Sequence, residues 1–119
     1  MNVTVAAKVE FKERVHSWAE KLGTQVIAIS VRPMTTKWAS YSTSGRLTFD
    51  THVLDLRQEL QDYVIAHELL HFHAPNHGRL WKSLMRAHVG DYEKHEAALR
   101  QLTIAIGDGR LVVHMETEE

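Results

Sequence analysis

Cysteine is missing from this chain of 119 residues, which excludes disulfides, thiolate nucleophiles and cysteine-ligated zinc. Proline occurs twice, at Pro33 and Pro75, and there is no proline- or glycine-rich linker to divide the chain. No apolar run reaches the roughly eighteen residues that would span a bilayer, so no membrane partner is expected. Neither sign of charge dominates: 14 basic and 15 acidic side chains are well mixed, for a net charge of -1. Non-specific nucleic-acid binding usually needs a clustered basic face, so this balance gives nucleic acid no support as a partner. The opening residues, Met1 to Val5, lack the basic-then-apolar build of a secretory signal, and the cytoplasm is the expected compartment.

What is present is an apolar fraction of 44%, enough for a core, in a length that suits one domain over residues 1–119. From about Val5 to Leu22, the residues Phe11, Val15, Trp18 and Leu22 share one helical face, and Gly23 follows as a stop. Gln25 to Val31 is rich in β-branched residues and reads as a strand. Lys37 to Thr43 and Arg46 to Asp50 read as two more, joined by a tight hairpin through Ser44-Gly45. A second helix is expected from Asp55, with Gln58 three residues on, to about His73, where Pro75 cannot continue it. A third carries Leu80, Trp81, Leu84, Met85 and His88 at helical spacing and stops at Gly90; Asp91 can cap a fourth, to about Gln101. Beyond it the pattern allows either a hairpin over Thr103–Val113 or a fourth helix running on to Ile106, then an acidic end from Met115 to Glu119. The predicted class is α+β: an N-terminal helix, a small and mostly antiparallel sheet, then helices.

Nine histidines are many for this length, and histidine is the commonest imidazole metal ligand. Three of them form a pattern. His67-Glu68-Leu69-Leu70-His71 is an H-E-x-x-H on the second helix. Four residues advance a helix by about 400°, which stacks His67 over His71 about 6 Å apart along the axis, a suitable offset for one zinc ion. Glu68 is rotated by about 100° and cannot be a third ligand in the same plane, but it can reach a water at the metal. A catalytic zinc wants three protein ligands and an open position. His77 follows His71 by six residues, past the bend at Ala74-Pro75-Asn76, as in long zinc-peptidase motifs. The predicted ligands are therefore His67, His71 and His77 for one zinc ion per chain, with Glu68 as general base. Tyr63, Val64, Ile65, Leu69 and Leu70 make this a core helix, where two histidines and a glutamate would be costly without a metal.

These residues resemble the YgjP-like metallopeptidase family, within the wider SprT- and Wss1-like zincins. The likeness runs from about Val26 to Leu99. It rests on Trp38 to Ser42, Leu47-Thr48-Phe49, Asp62 to His71, Asn76-His77, Trp81 and Asp91-Tyr92. Ala39 and Tyr41 stand where the family usually has Gly and Cys, and the residues from about 103 to 119 are an extension without a counterpart. The resemblance implies a minimal zincin domain, a bound zinc ion and hydrolysis of a peptide or protein substrate.

In such a site zinc activates water and polarises the scissile carbonyl, while Glu68 takes the proton and passes it to the leaving amine. The edge strand along the cleft is expected to be Arg46–Asp50. Candidates for the oxyanion-stabilising group are Tyr92, Tyr41 and His88. Tyr63, Trp38, His88 and Tyr92 are candidates for bracing the ligands or touching substrate, although packing alone accounts for Trp38 and Tyr63. Trp81 reads as a core anchor, and His73 lies about 200° round the helix from His71, away from the site. Two other readings compete: a metal-dependent RNA-processing hydrolase and a non-catalytic, zinc-stabilised binding module. RNA-processing enzymes with similar histidine spacing carry Gly where Glu68 stands, and purely structural zinc normally has four protein ligands. Both points favour the peptidase.

Overall fold

A computed structural model describes residues 3–34, 38–74 and 76–106. The order is α1 (Val3–Leu22), β1 (Ala28–Arg32), β2 (Ala39–Ser42), β3 (Arg46–Asp50), a short 3-10 helix (Thr51–Asp55), α2 (Gln58–Leu70), α3 (Arg79–His88) and α4 (Tyr92–Ile106). The class is α+β, as expected. No helix among the described residues is long and apolar enough to cross a membrane.

The first helix follows its pattern: Phe11, Val15 and Ala19 are buried and Trp18 and Leu22 pack against the core from its edge. Gly23 ends it at φ +69°, a left-handed conformation that glycine adopts without a Cβ penalty. Arg14 fastens this helix to α2 by donating to Asp62, Gln61 and the Gln58 carbonyl, and the Trp18 indole donates to the same Asp62 carboxylate at 2.9 Å.

The sheet has three strands in the order β1-β3-β2. Strands β2 and β3 form the expected hairpin, with Gly45 at φ +103° in its turn. The other pairing, β1 with β3, is parallel, so the sheet is mixed rather than mostly antiparallel. This order corrects one expectation. Arg46–Asp50 is the central strand, hydrogen-bonded on both sides, and cannot offer an edge to a cleft; the edge strand that packs on α2 is β2. On the central strand β3, the inward residues Leu47 and Phe49 join Phe11, Trp38, Val64, Ile65 and Leu69 in one core.

The second helix starts at Gln58 rather than Asp55, and the cause is tertiary. Buried Asp50 accepts from the backbone N–H of His52 at 3.0 Å and so caps a separate 3-10 turn. At the far end of that turn the Gln61 side-chain amide donates to the Val53 and Leu56 carbonyls at 3.0 and 3.1 Å, and the Val53 carbonyl also accepts from the Leu56 N–H at 3.2 Å. The helix also ends earlier than expected, at Leu70, with His71 as its cap. Almost every residue from Leu60 to Leu70 is buried, so α2 is the central rod of the molecule. The fourth helix runs to Ile106, which excludes a strand over Thr103–Ile106; residues 107–119, and the remainder of that expected hairpin, lie outside the described residues.

Candidate metal centre

The end of α2 and the loop after it bring three imidazoles together. His67 and His71 are 2% and 3% exposed, and their ring centroids are 5.0 Å apart, the stacking that helical spacing requires. His71 caps the helix yet keeps helical dihedrals (φ -65°, ψ -21°), so the spacing survives although the hydrogen-bonded helix stops. The chain then turns back. Asn76 accepts from the Gly78 N–H at 2.9 Å, and a Cβ on Gly78 would come within 2.7 Å of that same Asn76 oxygen. This tight turn returns exposed His77 to the other two rings.

The Nε2 atom of His77 lies 3.0 Å from that of His67 and 2.9 Å from that of His71. Nitrogens bound at 2.0–2.1 Å around a tetrahedral ion would be separated by roughly 3.3 Å, so the observed spacing suits one ion with slightly closed angles. The hydrogen bonds behind the rings bear on which nitrogen is bare. His71 Nδ1 lies 3.3 Å from the Ala74 carbonyl, which can only accept, so this nitrogen carries the proton and Nε2 keeps its lone pair. His67 Nδ1 lies 3.2 Å from the Tyr63 hydroxyl one turn back. Burial, and then the nearby carboxylates of Glu96 and Glu68, push the Tyr63 phenol far above its usual range, so this hydroxyl stays protonated. A bare His71 Nε2 this close to His77 Nε2 suits a shared cation. The donor set fits a divalent metal.

Glu68 is fully buried in the same turn of helix as His67. Trp81, which the sequence presents as a core anchor, is also a wall of this centre: its ring centroid is 4.7 Å from His67, 6.1 Å from His71 and 4.5 Å from His77. Its indole Nε1 is buried with no hydrogen-bond partner among the described residues. The signal for this role was its place four residues after His77, on the first turn of α3. Tyr41 on β2 was an oxyanion candidate. Its ring lies parallel to His71, with centroids 5.3 Å apart, and meets Phe72 edge-on.

Of the other candidates, Tyr63 sits in the site as described. Tyr92 is one layer out, edge-on to Trp81 at 5.6 Å. Trp38 is buried in the core at the start of β2, with its carbonyl accepting from the Asp50 N–H at 2.8 Å. His88, half-buried at the end of α3, makes no hydrogen bond or ring contact with the three imidazoles among the described residues. His73 turns away and meets the Thr24 hydroxyl at 2.8 Å.

A buried H-E-x-x-H helix under a small mixed sheet, with a third imidazole returned by the next loop, defines a class: small α+β metallopeptidase domains. The sequence model of the YgjP-like metallopeptidase domain matches residues 3–102, and the chain belongs to that family. The chain is therefore a metallopeptidase, and its family implies a divalent metal. It is similar to the metallopeptidase zymogen of Methanocaldococcus jannaschii jannalysin, with 29% identity and a TM-score of 0.68 over 80% of this chain and 96% of that one. It also shares the fold of the Pyrococcus abyssi abylysin zymogen, at 24% identity and a TM-score of 0.67 over 77% and 93% of the two chains. No curated protein matches the chain.

Proposed function

We propose that this single domain is a zinc-dependent peptidase in which His67, His71 and His77 hold the metal and Glu68 is the general base. The observation that carries the reading is the approach of three Nε2 atoms to within 3.0 Å along the chain of contacts, next to a buried carboxylate. Zinc is the metal of choice because a nitrogen-only set of three imidazoles, with room for a fourth position, is its usual catalytic environment. Bound there, zinc supplies Lewis acidity, lowering the pKa of water to about 7 and polarising a carbonyl.

The protein does the rest. The Ala74 carbonyl and the Tyr63 hydroxyl hold the His71 and His67 rings in orientation, and Trp81 and Tyr41 close the walls around them. Glu68, fully buried, is the chain neighbour of the ligand His67. It takes the proton of the attacking water and delivers it to the leaving amine, a service worth about 10²–10⁴-fold in rate.

The test is a broad peptide-library digest by the zinc-loaded protein and by Glu68→Gln. Cleavage by the first and not by the second supports the reading. Cleavage at equal rates removes Glu68 from its role, and stoichiometric zinc without any cleavage favours a binding module.

A further inference from the structure

Beside the metal centre, an open groove of about 670 Å³ runs along α3 to the start of α4. Its walls include Gly78, next to the ligand His77, and Tyr92, which packs on Trp81 and through it on the three imidazoles. Arg79, Lys82 and Arg86 also line it. At positions i, i+3 and i+7 these three side chains fall within about 60° of one another on the helix, so they share a face.

Arg86 is spoken for: it donates to Glu93 at 2.7 Å and to the Gly90 carbonyl at 3.3 Å, and stacks over Tyr92 at 4.9 Å. Arg79 and Lys82 have no counter-ion among the described residues. The groove thus holds three cations against one anion, Glu93, in a chain whose net charge is -1. The local sign opposes that of the whole molecule. Nor does the fold gain from it. Both cations lie in the first turns of α3, where the helix dipole favours acids, and that turn contains none. Positions that cost the helix stability and pair with nothing inside the molecule point to something outside it.

We propose that this groove is a recognition subsite for acidic side chains of the substrate, on the length of peptide that passes α3 as it leaves the metal centre. The inference rests on the peptidase reading. Carboxylates suit the fork of Arg79 and the point charge of Lys82. An extended nucleic-acid backbone suits the groove less well, because binding one draws on about 6–10 phosphate contacts and here two unpaired cations lie within a single turn.

The test uses the full zinc-loaded chain carrying Glu68→Gln, so that nothing is consumed, and reads fluorescence anisotropy. Two labelled octapeptides differ only in having Glu or Gln at the positions flanking the scissile bond. The Glu peptide should bind about tenfold more tightly at low salt, as expected for two exposed ion pairs, and the difference should shrink as salt is raised. Adding Arg79→Gln with Lys82→Gln should make the two affinities equal, and Arg79→Glu with Lys82→Glu should turn the preference towards a Lys peptide. Equal binding by the Glu68→Gln parent would overturn the proposal. So would a DNA oligomer that binds more tightly than the Glu peptide through the same two cations. Cleavage by the unmutated chain is scored separately. Cleavage without acidic preference discards the subsite and keeps the peptidase; acidic preference in binding without any cleavage keeps the subsite and discards the peptidase.

Discussion

Replacing Trp81 by phenylalanine sets two opposed terms against each other. The indole is 4% exposed, and shrinking it to a phenyl ring removes about three heavy atoms, a loss of about 1–2 kcal/mol in transfer and cavity energy. Against this, Nε1 is a buried donor without an acceptor among the described residues, and such a group costs about 1–3 kcal/mol. The variant removes that cost. The terms nearly cancel, so Trp81→Phe should change unfolding free energy by less than about 1 kcal/mol, a shift in Tm of under about 6 °C. Trp81→Ala removes the whole ring and should cost about 3–5 kcal/mol. Urea unfolding of chelator-treated protein, followed by circular dichroism, gives both values. A loss above about 2 kcal/mol in Trp81→Phe would refute the reasoning, because it would mean that the donor is satisfied in solution.

Glu68→Gln should retain zinc and lose about 10²–10⁴-fold in kcat/KM, read by peptide hydrolysis alongside metal analysis. Tyr63→Phe removes the partner of His67 Nδ1 and should weaken zinc affinity by about tenfold or more, measured by competition with a chromophoric chelator. Stripping the metal should lower Tm by about 10 °C for zinc present at about a hundred times its Kd, and added zinc should restore it. On the surface, Arg86 holds the Glu93 carboxyl below its ordinary range, so their small contribution to stability is present above the ordinary carboxylate pKa and lost as pH falls through the lowered value. In Arg86→Ala, NMR titration should find the Glu93 carboxyl back at its ordinary pKa; an unmoved value would rule out Arg86 as the cause.

The parts of the fold that the sequence reveals are those written in local periodicity. Phe11, Val15, Trp18 and Leu22 announce α1, and Ser44-Gly45 announces the hairpin. What periodicity cannot carry is strand order. Nothing in Leu47-Thr48-Phe49 distinguishes a central strand from an edge, and the parallel partner β1 reaches β3 only through tertiary packing. The start of α2 was hidden for a similar reason: Asp55 looks like a cap, but Asp50 and Gln61 build a separate turn around it from a distance. At the site, three histidines at fixed spacing were legible because helix geometry brings two of them together and the turn over Asn76 to Gly78 returns the third. Trp81 was not, because an aromatic residue at helical spacing reads as core whether or not a metal centre lies against it. Tyr41 escaped as a wall of the centre because its contact with His71 crosses from sheet to helix.

Native mass spectrometry of the purified chain and of His77→Ala, after equal exposure to zinc, tests the central claim most directly. One zinc ion per chain in the first and almost none in the second is the predicted result. A metal-free parent, or a variant that keeps zinc as firmly as the parent, would contradict it.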